Sequence, residues 1–330
     1  MMQGCENVMA EPLLRRAPRI AYRNGEVQAV LAERGTLAVL GFGAGVRVGD
    51  DPRCLDVALE CFDAPAPLEV WQVDAEVEHG RDGDVRWAAG GGWLFAAIEL
   101  DEAAHDGPET TARHAYEQLR RRVERHPERH VLRVWNYLDA INLGAGDAER
   151  YKQFCAGRAS GMGAFFAEGF PAATAIGHHG PAGRLQVYLL ACDQPGERIE
   201  NPRQVSAWRY PRQYGRTPPS FARAMLLPAQ DALAISGTAA VVGHASAHED
   251  DLHAQLVETF TNLETLLACG HLAPGFDTQS PLKAYVRHPA DAAQVHAFIR
   301  QRLPGVPVLL LHGDICRREL LVEIDGWRYA

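Results

Sequence analysis

The sequence contains no CxxC pair. Its seven cysteines (Cys5, Cys54, Cys61, Cys155, Cys192, Cys269 and Cys316) are scattered and odd in number. That pattern speaks against a zinc ribbon and against a paired disulfide framework, and small buried apolar residues are the expected role. No apolar run reaches about 18 residues, so no membrane-spanning helix is expected. The N-terminus lacks the basic-then-apolar order of a secretory signal, and a cytoplasmic setting is the default expectation. Excess positive charge is missing too: the chain carries a net charge of -9, which argues against a general nucleic-acid surface. GxSxG is absent, so Ser236-Gly237-Thr238 is not a nucleophile elbow. His178-His179 and the pair His244 and His248 lack further ligands at metal spacing, and no metal site is expected. GFGAGVRVG (Gly41 to Gly49) follows a short strand candidate, but no helix pattern follows it. A dinucleotide loop needs that helix.

What is present describes a globular chain of 330 residues, 47% apolar and 23% charged, long enough for two domains. The second half reads as a strand (232–242), an amphipathic helix (248–269), a strand (282–286), a helix (291–303) and two strands (306–312 and 320–324). Leu252, Leu256, Phe260, Leu263 and Leu267 set the helical period of the first helix, and Gly270 stops it. The first half repeats the order: strand 93–100, helix 109–128, strand 130–138, helix 147–166, strands 173–176 and 185–191. The two copies lie about 140 residues apart, and the repeat is one of pattern rather than of letters. An α+β fold follows, with two units in tandem, 1–195 and 196–330. Residues 1 to about 90 are expected to form an irregular cap on the first, with strand candidates at 36–40 and 68–73.

Three places carry candidate chemistry. Between Asn201 and Arg223, five arginines (Arg203, Arg209, Arg212, Arg216, Arg223) are interleaved with Trp208, Tyr210, Tyr214, Phe221 and four prolines. Arginine gives planar, permanently charged contacts to carboxylates, and proline limits the freedom of such a loop. The segment is therefore either a pocket for a small polyanion or a solvated loop. In the helix from 147, Tyr151, Phe154, Cys155, Arg158 and Met162 share one face. An arginine there must either pair with a carboxylate or point into a cavity. In the last strand, ELLVEID, alternation puts Leu321, Glu323 and Asp325 on one side and Leu320, Val322 and Ile324 on the other. Glu323 then faces a partly apolar cleft, where burial would keep it protonated as a general acid, or it lies exposed on an edge strand. Cys316, beside Arg317 and Arg318, is either partly thiolate or a buried packing residue.

Several longer motifs, taken together, resemble the chorismatase family: RVWNYL with Asn136 and Tyr137, RYKQFCAGR (150–158), NPRQVSAWRYPRQYG (201–215), SFARA (220–224), SGTAAVVGH (236–244) and VEIDGW (322–327). The resemblance runs from about residue 90 to the end. Its second half is also similar to the RidA/YjgF fold, which implies two RidA/YjgF-like units of the chorismate-mutase-like barrel type. It implies cleavage of chorismate with release of pyruvate, without metal or redox cofactor. Glu323 would be the acid that protonates the enolpyruvyl methylene carbon. Arg158, Arg209 and Arg223 would clamp the two carboxylates, with Tyr151, Tyr210 and Tyr214 donating hydrogen bonds. The family divides by product. Gly237 and Cys316 match the aromatising branch, which implies 3-hydroxybenzoate, with 4-hydroxybenzoate as a second product. In that branch Gly237 leaves room for the ring, and Cys316 shapes the pocket near the ring hydroxyl. The hydrolase branch, which yields a dihydroxycyclohexadiene carboxylate, is the alternative. Two other classes stand beside these: a RidA-like hydrolase of enamines and imines, and a non-catalytic small-anion sensor. The resemblance is compatible with a monomer or a small homo-oligomer, and with a lyase feeding pigment or quinone synthesis.

Overall fold

The computed structural model describes residues 15–43, 45–63, 67–167 and 169–330. Two copies of one α+β unit make up most of it. The first has strands Trp93–Asp101, His130–Asp139, Ala172–His178 and Arg184–Cys192, with helices Pro108–Glu124 and Arg150–Met162. The second has strands Ala232–Thr238, Leu282–Val286, Val308–His312 and Val322–Tyr329, with helices Leu252–Cys269 and Ala292–Arg302. In both sheets the four strands stand in the spatial order first, fourth, second, third. In both, the second and third strands are parallel and the remaining pairs antiparallel. The repeat expected from the sequence is thus a repeat of topology.

Strand alternation builds the layers. Leu94, Ala96 and Ile98 pack against the first unit's helices, while Trp93, Phe95 and Ala97 face the opposite way. In the second unit Leu233 and Ile235 meet the helices, whereas Ala232 and Ala234 turn to the same centre as Trp93 and Phe95. A shared core rich in aromatics, with Trp71, Trp135, Tyr188, Tyr285 and Trp327, lies between the sheets. At about 25 cal/mol per Å2 of apolar surface, side chains of this size dominate the cohesion.

Three features depart from the sequence reading. The stretch before residue 90 is more regular than a cap. It builds a four-stranded sheet, in the order Arg19–Arg23, Leu68–Gln72, Thr36–Phe42, Cys54–Val57. Glu78–Asp82 and Val85–Gly90 extend the first unit's sheet, and Glu60–Asp63 joins the edge of the second unit's. In return, Asp314–Ile315, from late in the chain, pairs with Ala172–His178 of the first unit. A strand as short as Asp314–Ile315 holds too few residues to show a period, and only long-range pairing makes it. The long helix begins at Leu252 rather than 248. His248 and Asp250 hold positive φ (57° and 63°), and Asp251 caps the helix by accepting a hydrogen bond from the Ala254 N–H at 3.0 Å. The last strand begins only at Val322 and runs to Tyr329 in the interior of its sheet, not at an edge.

One close approach fixes the site helix. A Cβ on Gly157 would lie 2.0 Å from the Glu109 carbonyl oxygen, and one on Gly161 2.4 Å from that of Arg113. The pair lets Arg150–Met162 press against Pro108–Glu124, which outweighs the roughly 1 kcal/mol that each mid-helix glycine costs. This contact aims the Arg158 face of the helix inward.

Candidate active site

Between the units lies a cavity of about 320 Å3. The candidate side chains on its wall come from five pieces of chain. Helix Arg150–Met162 gives Tyr151 and Arg158, and the 201–223 segment gives Tyr210, Tyr214 and Arg223. Strand Ala232–Thr238 gives Gly237, the turn after Asp314–Ile315 gives Cys316 and Arg317, and the last strand gives Glu323. Most of the sequence-derived candidates therefore meet in one place.

Glu323 is 5% exposed. Its face of the strand is shared with the fully buried Asp325, not with Leu321. Leu321 precedes the strand and packs with Val322 and Ile324. Among the described residues, no side chain or backbone group hydrogen-bonds the Glu323 carboxyl. Burial pushes its pKa up to about 8. The charge of Asp325 adds to the rise, while Arg133, Arg223 and Arg317 pull it down. A carboxyl in that range is still an acid at neutral pH.

Gly237 touches this group directly. The ladder between Ala232–Thr238 and Val322–Tyr329 shifts register between Ile235 and Thr238. The bulge lays the Gly237 backbone against the carboxyl: a Cβ there would sit 1.9 Å from Glu323 Oε1. The neighbouring Ser236 hydroxyl donates to the Ala222 carbonyl (2.6 Å) and accepts from the Ala173 N–H (2.8 Å), tying the two units together beside the cavity.

Two guanidinium groups aim into the cavity with donors unspent. Arg158 is 4% exposed, lies over the Tyr116 ring at 5.3 Å, and leaves Nε and Nη2 without partners. It forms no ion pair among the described residues. Arg223 donates through Nη2 to the Tyr210 hydroxyl (2.6 Å) and the Val205 carbonyl (2.9 Å), and its Nε is unpartnered. Buried donors without acceptors are costly, and two arginines left so in one wall fit an anionic guest.

The arginine-rich segment divides on inspection. Arg209 is exposed and does not line the cavity, so it does not fit the clamp role expected of it; its place on the short turn Ala207–Arg209 points it outward. Arg203 pairs with Glu258, Arg212 with Asp147 and Arg216 with Glu109, each at 2.5 Å. A cation that does line the cavity in this region is Arg317. Its Nη1 donates to the His244 carbonyl (2.9 Å), and its guanidinium lies 4.1 Å from the Tyr214 ring centroid. Sequence reading weighed Arg317 only as a neighbour of Cys316. The paired arginines in HGDICRREL are the signal that would have raised it as a second cationic cluster.

Cys316 is not a thiolate. Burial, with Glu323 close by, pushes its thiol up to about 12, which outweighs the adjacent Arg317. The Tyr151 phenol is likewise raised well above its usual value by burial and stays a hydrogen-bond donor.

Residues 69–191 match the model of the N-terminal part of FkbO/Hyg5-like chorismatases. Over 276 residues the chain is 38% identical to a 3-hydroxybenzoate synthase of Streptomyces hygroscopicus, covering 78% of this chain and 80% of that one. The chain belongs to the chorismatase family. A chorismatase of the same organism is 35% identical over 280 residues, covering 80% of each chain. The crystal structure of a chorismatase superposes with a TM-score of 0.84 at 30% identity, over 95% of this chain and 98% of that one. The protein is thus an enzyme.

Proposed function

We propose that this enzyme cleaves chorismate into pyruvate and 3-hydroxybenzoate, with Glu323 as the acid. The observation that carries the reading is a buried, protonated carboxyl facing the same cavity as the unspent donors of Arg158 and Arg223. Chorismate bears a ring carboxylate and an enolpyruvyl carboxylate, and these two arginines offer each a charge-assisted partner. Tyr151, Tyr210 and Tyr214 add hydrogen-bonding hydroxyls, and Arg317 adds positive potential.

Glu323 gives its proton to the enol-ether methylene carbon, which becomes the methyl group of pyruvate. The oxocarbenium-like centre left behind is stabilised by the new Glu323 carboxylate. The ring C3–O bond then breaks and pyruvate leaves with the ether oxygen, while the C4 hydroxyl gives its proton to the Glu323 carboxylate and its oxygen bonds to C3; opening of the C4–O bond of that oxide and loss of the C3 hydrogen to the resulting phenolate oxygen aromatise the ring to 3-hydroxybenzoate. The chorismate dianion then divides into two monoanions with no net water or proton. The neutral Cys316 thiol and the bare Gly237 backbone border the acid and keep water from competing for the cation. The synthase relative favours 3-hydroxybenzoate; 4-hydroxybenzoate as a minor product is part of the same proposal.

Purified enzyme with chorismate should yield equal amounts of pyruvate and a hydroxybenzoate, identified by mass spectrometry. Glu323→Gln should abolish both while the circular dichroism spectrum is unchanged. A fully active variant would remove Glu323 from the reaction.

A further inference from the structure

Behind Glu323 lies a cluster of four buried charges that the chemistry above leaves unused. Arg133 and Asp325 are 0% exposed; Lys283 and Glu69 are 1% exposed. Arg133 Nη2 lies 3.1 Å from Asp325 Oδ2, and Lys283 Nζ lies 2.8 Å from Glu69 Oε2 and 3.9 Å from Asp325 Oδ1. Asp325 Oδ2 also accepts from the Thr174 hydroxyl (2.7 Å), the Tyr285 hydroxyl (2.8 Å) and the Trp135 indole N–H (3.1 Å). The partners come from three different sheets: Arg133, Trp135 and Thr174 from the first unit, Lys283, Tyr285 and Asp325 from the second, Glu69 from the four-stranded sheet.

Burying four charges is expensive, and apolar residues of equal volume often stabilise a core better. The arrangement therefore calls for a reason other than stability. Two positive and two negative groups balance, so Glu323, two residues along the same strand face, is the odd member. An ionised Glu323 would leave an unbalanced negative charge beside Asp325. A protonated one leaves the group neutral.

We propose that Asp325, anchored by Arg133, Thr174, Trp135 and Tyr285 and balanced by the Lys283–Glu69 pair, is a positioning residue that keeps the proton on Glu323. The proposal rests on the reading of Glu323 as the acid. Other charged or titratable groups also face Glu323. Tyr285 stands opposite it in the adjacent strand, and Arg223 comes from the 201–223 segment. Cys316, Arg317 and Glu319 come from the turn before the last strand, and Tyr151, Cys155 and Arg158 from the helix. The three arginines Arg133, Arg223 and Arg317 all favour the carboxylate. Asp325 is the near negative charge on Glu323's own strand that opposes them, so without it burial alone stands against the arginines and the proton is held less tightly.

The test is the pH profile of kcat/KM for pyruvate release by the full chain, read alongside an infrared titration of the protonated Glu323 carbonyl. Wild-type activity should fall above a pH of about 8. Asp325→Asn should move that alkaline limb down by about one pH unit, a roughly tenfold loss above the limb with the acidic plateau kept. The double variant Asp325→Asn/Arg133→Met removes the charge together with its partner and should restore the limb. A merely structural defect would lower activity evenly across pH and would not be rescued. If Asp325→Asn does not fold, Glu69→Gln decides. It can keep accepting from the Trp71 indole but releases Lys283 onto Asp325, and it should shift the limb in the same direction by less. A limb that stays put or moves up in the variant that folds overturns the proposal. Loss of activity in Glu323→Gln with unmoved limbs in the cluster variants refutes only this inference. An active Glu323→Gln refutes the assignment of the acid instead.

Discussion

Gly237→Ala is the most direct probe of the geometry. The new Cβ would stand 1.9 Å from Glu323 Oε1 and 2.7 Å from its Cδ, whereas real Cβ contacts essentially never fall below 3.0 Å. The carboxyl must therefore retreat by at least 1.1 Å (3.0 less 1.9) or the bulge must open. The strand has little room to yield, because Val322 and Ile324 are locked into the core on the opposite face. A misplacement of about 1 Å in a reacting group costs on the order of 100-fold in rate. That corresponds to about 2.7 kcal/mol of barrier. Because Arg158 and Arg223 are untouched, the loss should fall on kcat, with KM within about threefold. Pyruvate release can be followed by coupling to lactate dehydrogenase, and the aromatic product by chromatography. Overpacking should also lower stability by roughly 1–3 kcal/mol, visible in thermal melts. A variant that makes 3-hydroxybenzoate at the wild-type rate would refute the claim that Gly237 sets the position of the acid.

Two further outcomes follow from the same site. Arg223→Met should raise KM for chorismate by roughly 10- to 100-fold, the worth of one charge-assisted contact, whereas Arg209→Ala should change steady-state constants by less than about twofold. Equal effects would place Arg209 back in the clamp. The second concerns stability. Because the folded-state pKa of Glu323 is raised from 4.5 to about 8, its contribution is fully present below a pH of about 4.5 and is lost as pH climbs through about 8. Glu323→Gln cannot ionise, so its melting temperature relative to wild type should climb across that window and level off above it. A constant difference would mean that the carboxyl is not buried as described.

The local pattern of this sequence determined a good deal. Helical and strand periods placed both copies of the repeat to within a few residues, because long amphipathic elements write their burial into their spacing. Strand Leu282–Val286 was legible to the residue. The inward face of Tyr151, Phe154, Cys155 and Arg158 could be read for the same reason. Alternation paired Glu323 with Asp325, although Leu321 fell outside the strand. Which arginines matter was not legible. Arg209 and Arg223 look alike in sequence, and only the fold points one to solvent and the other into the cavity. Arg317 enters the site because Asp314–Ile315 crosses to the first unit's sheet, a pairing no local signal announces. The contact of Gly237 with the Glu323 carboxyl, and the gathering of Glu69, Arg133, Lys283 and Asp325 from three sheets, depend on residues far apart in the chain. Sequence sets which side of an element is buried; only tertiary packing decides which buried group meets which, and electrostatics at a few ångströms turns on that meeting.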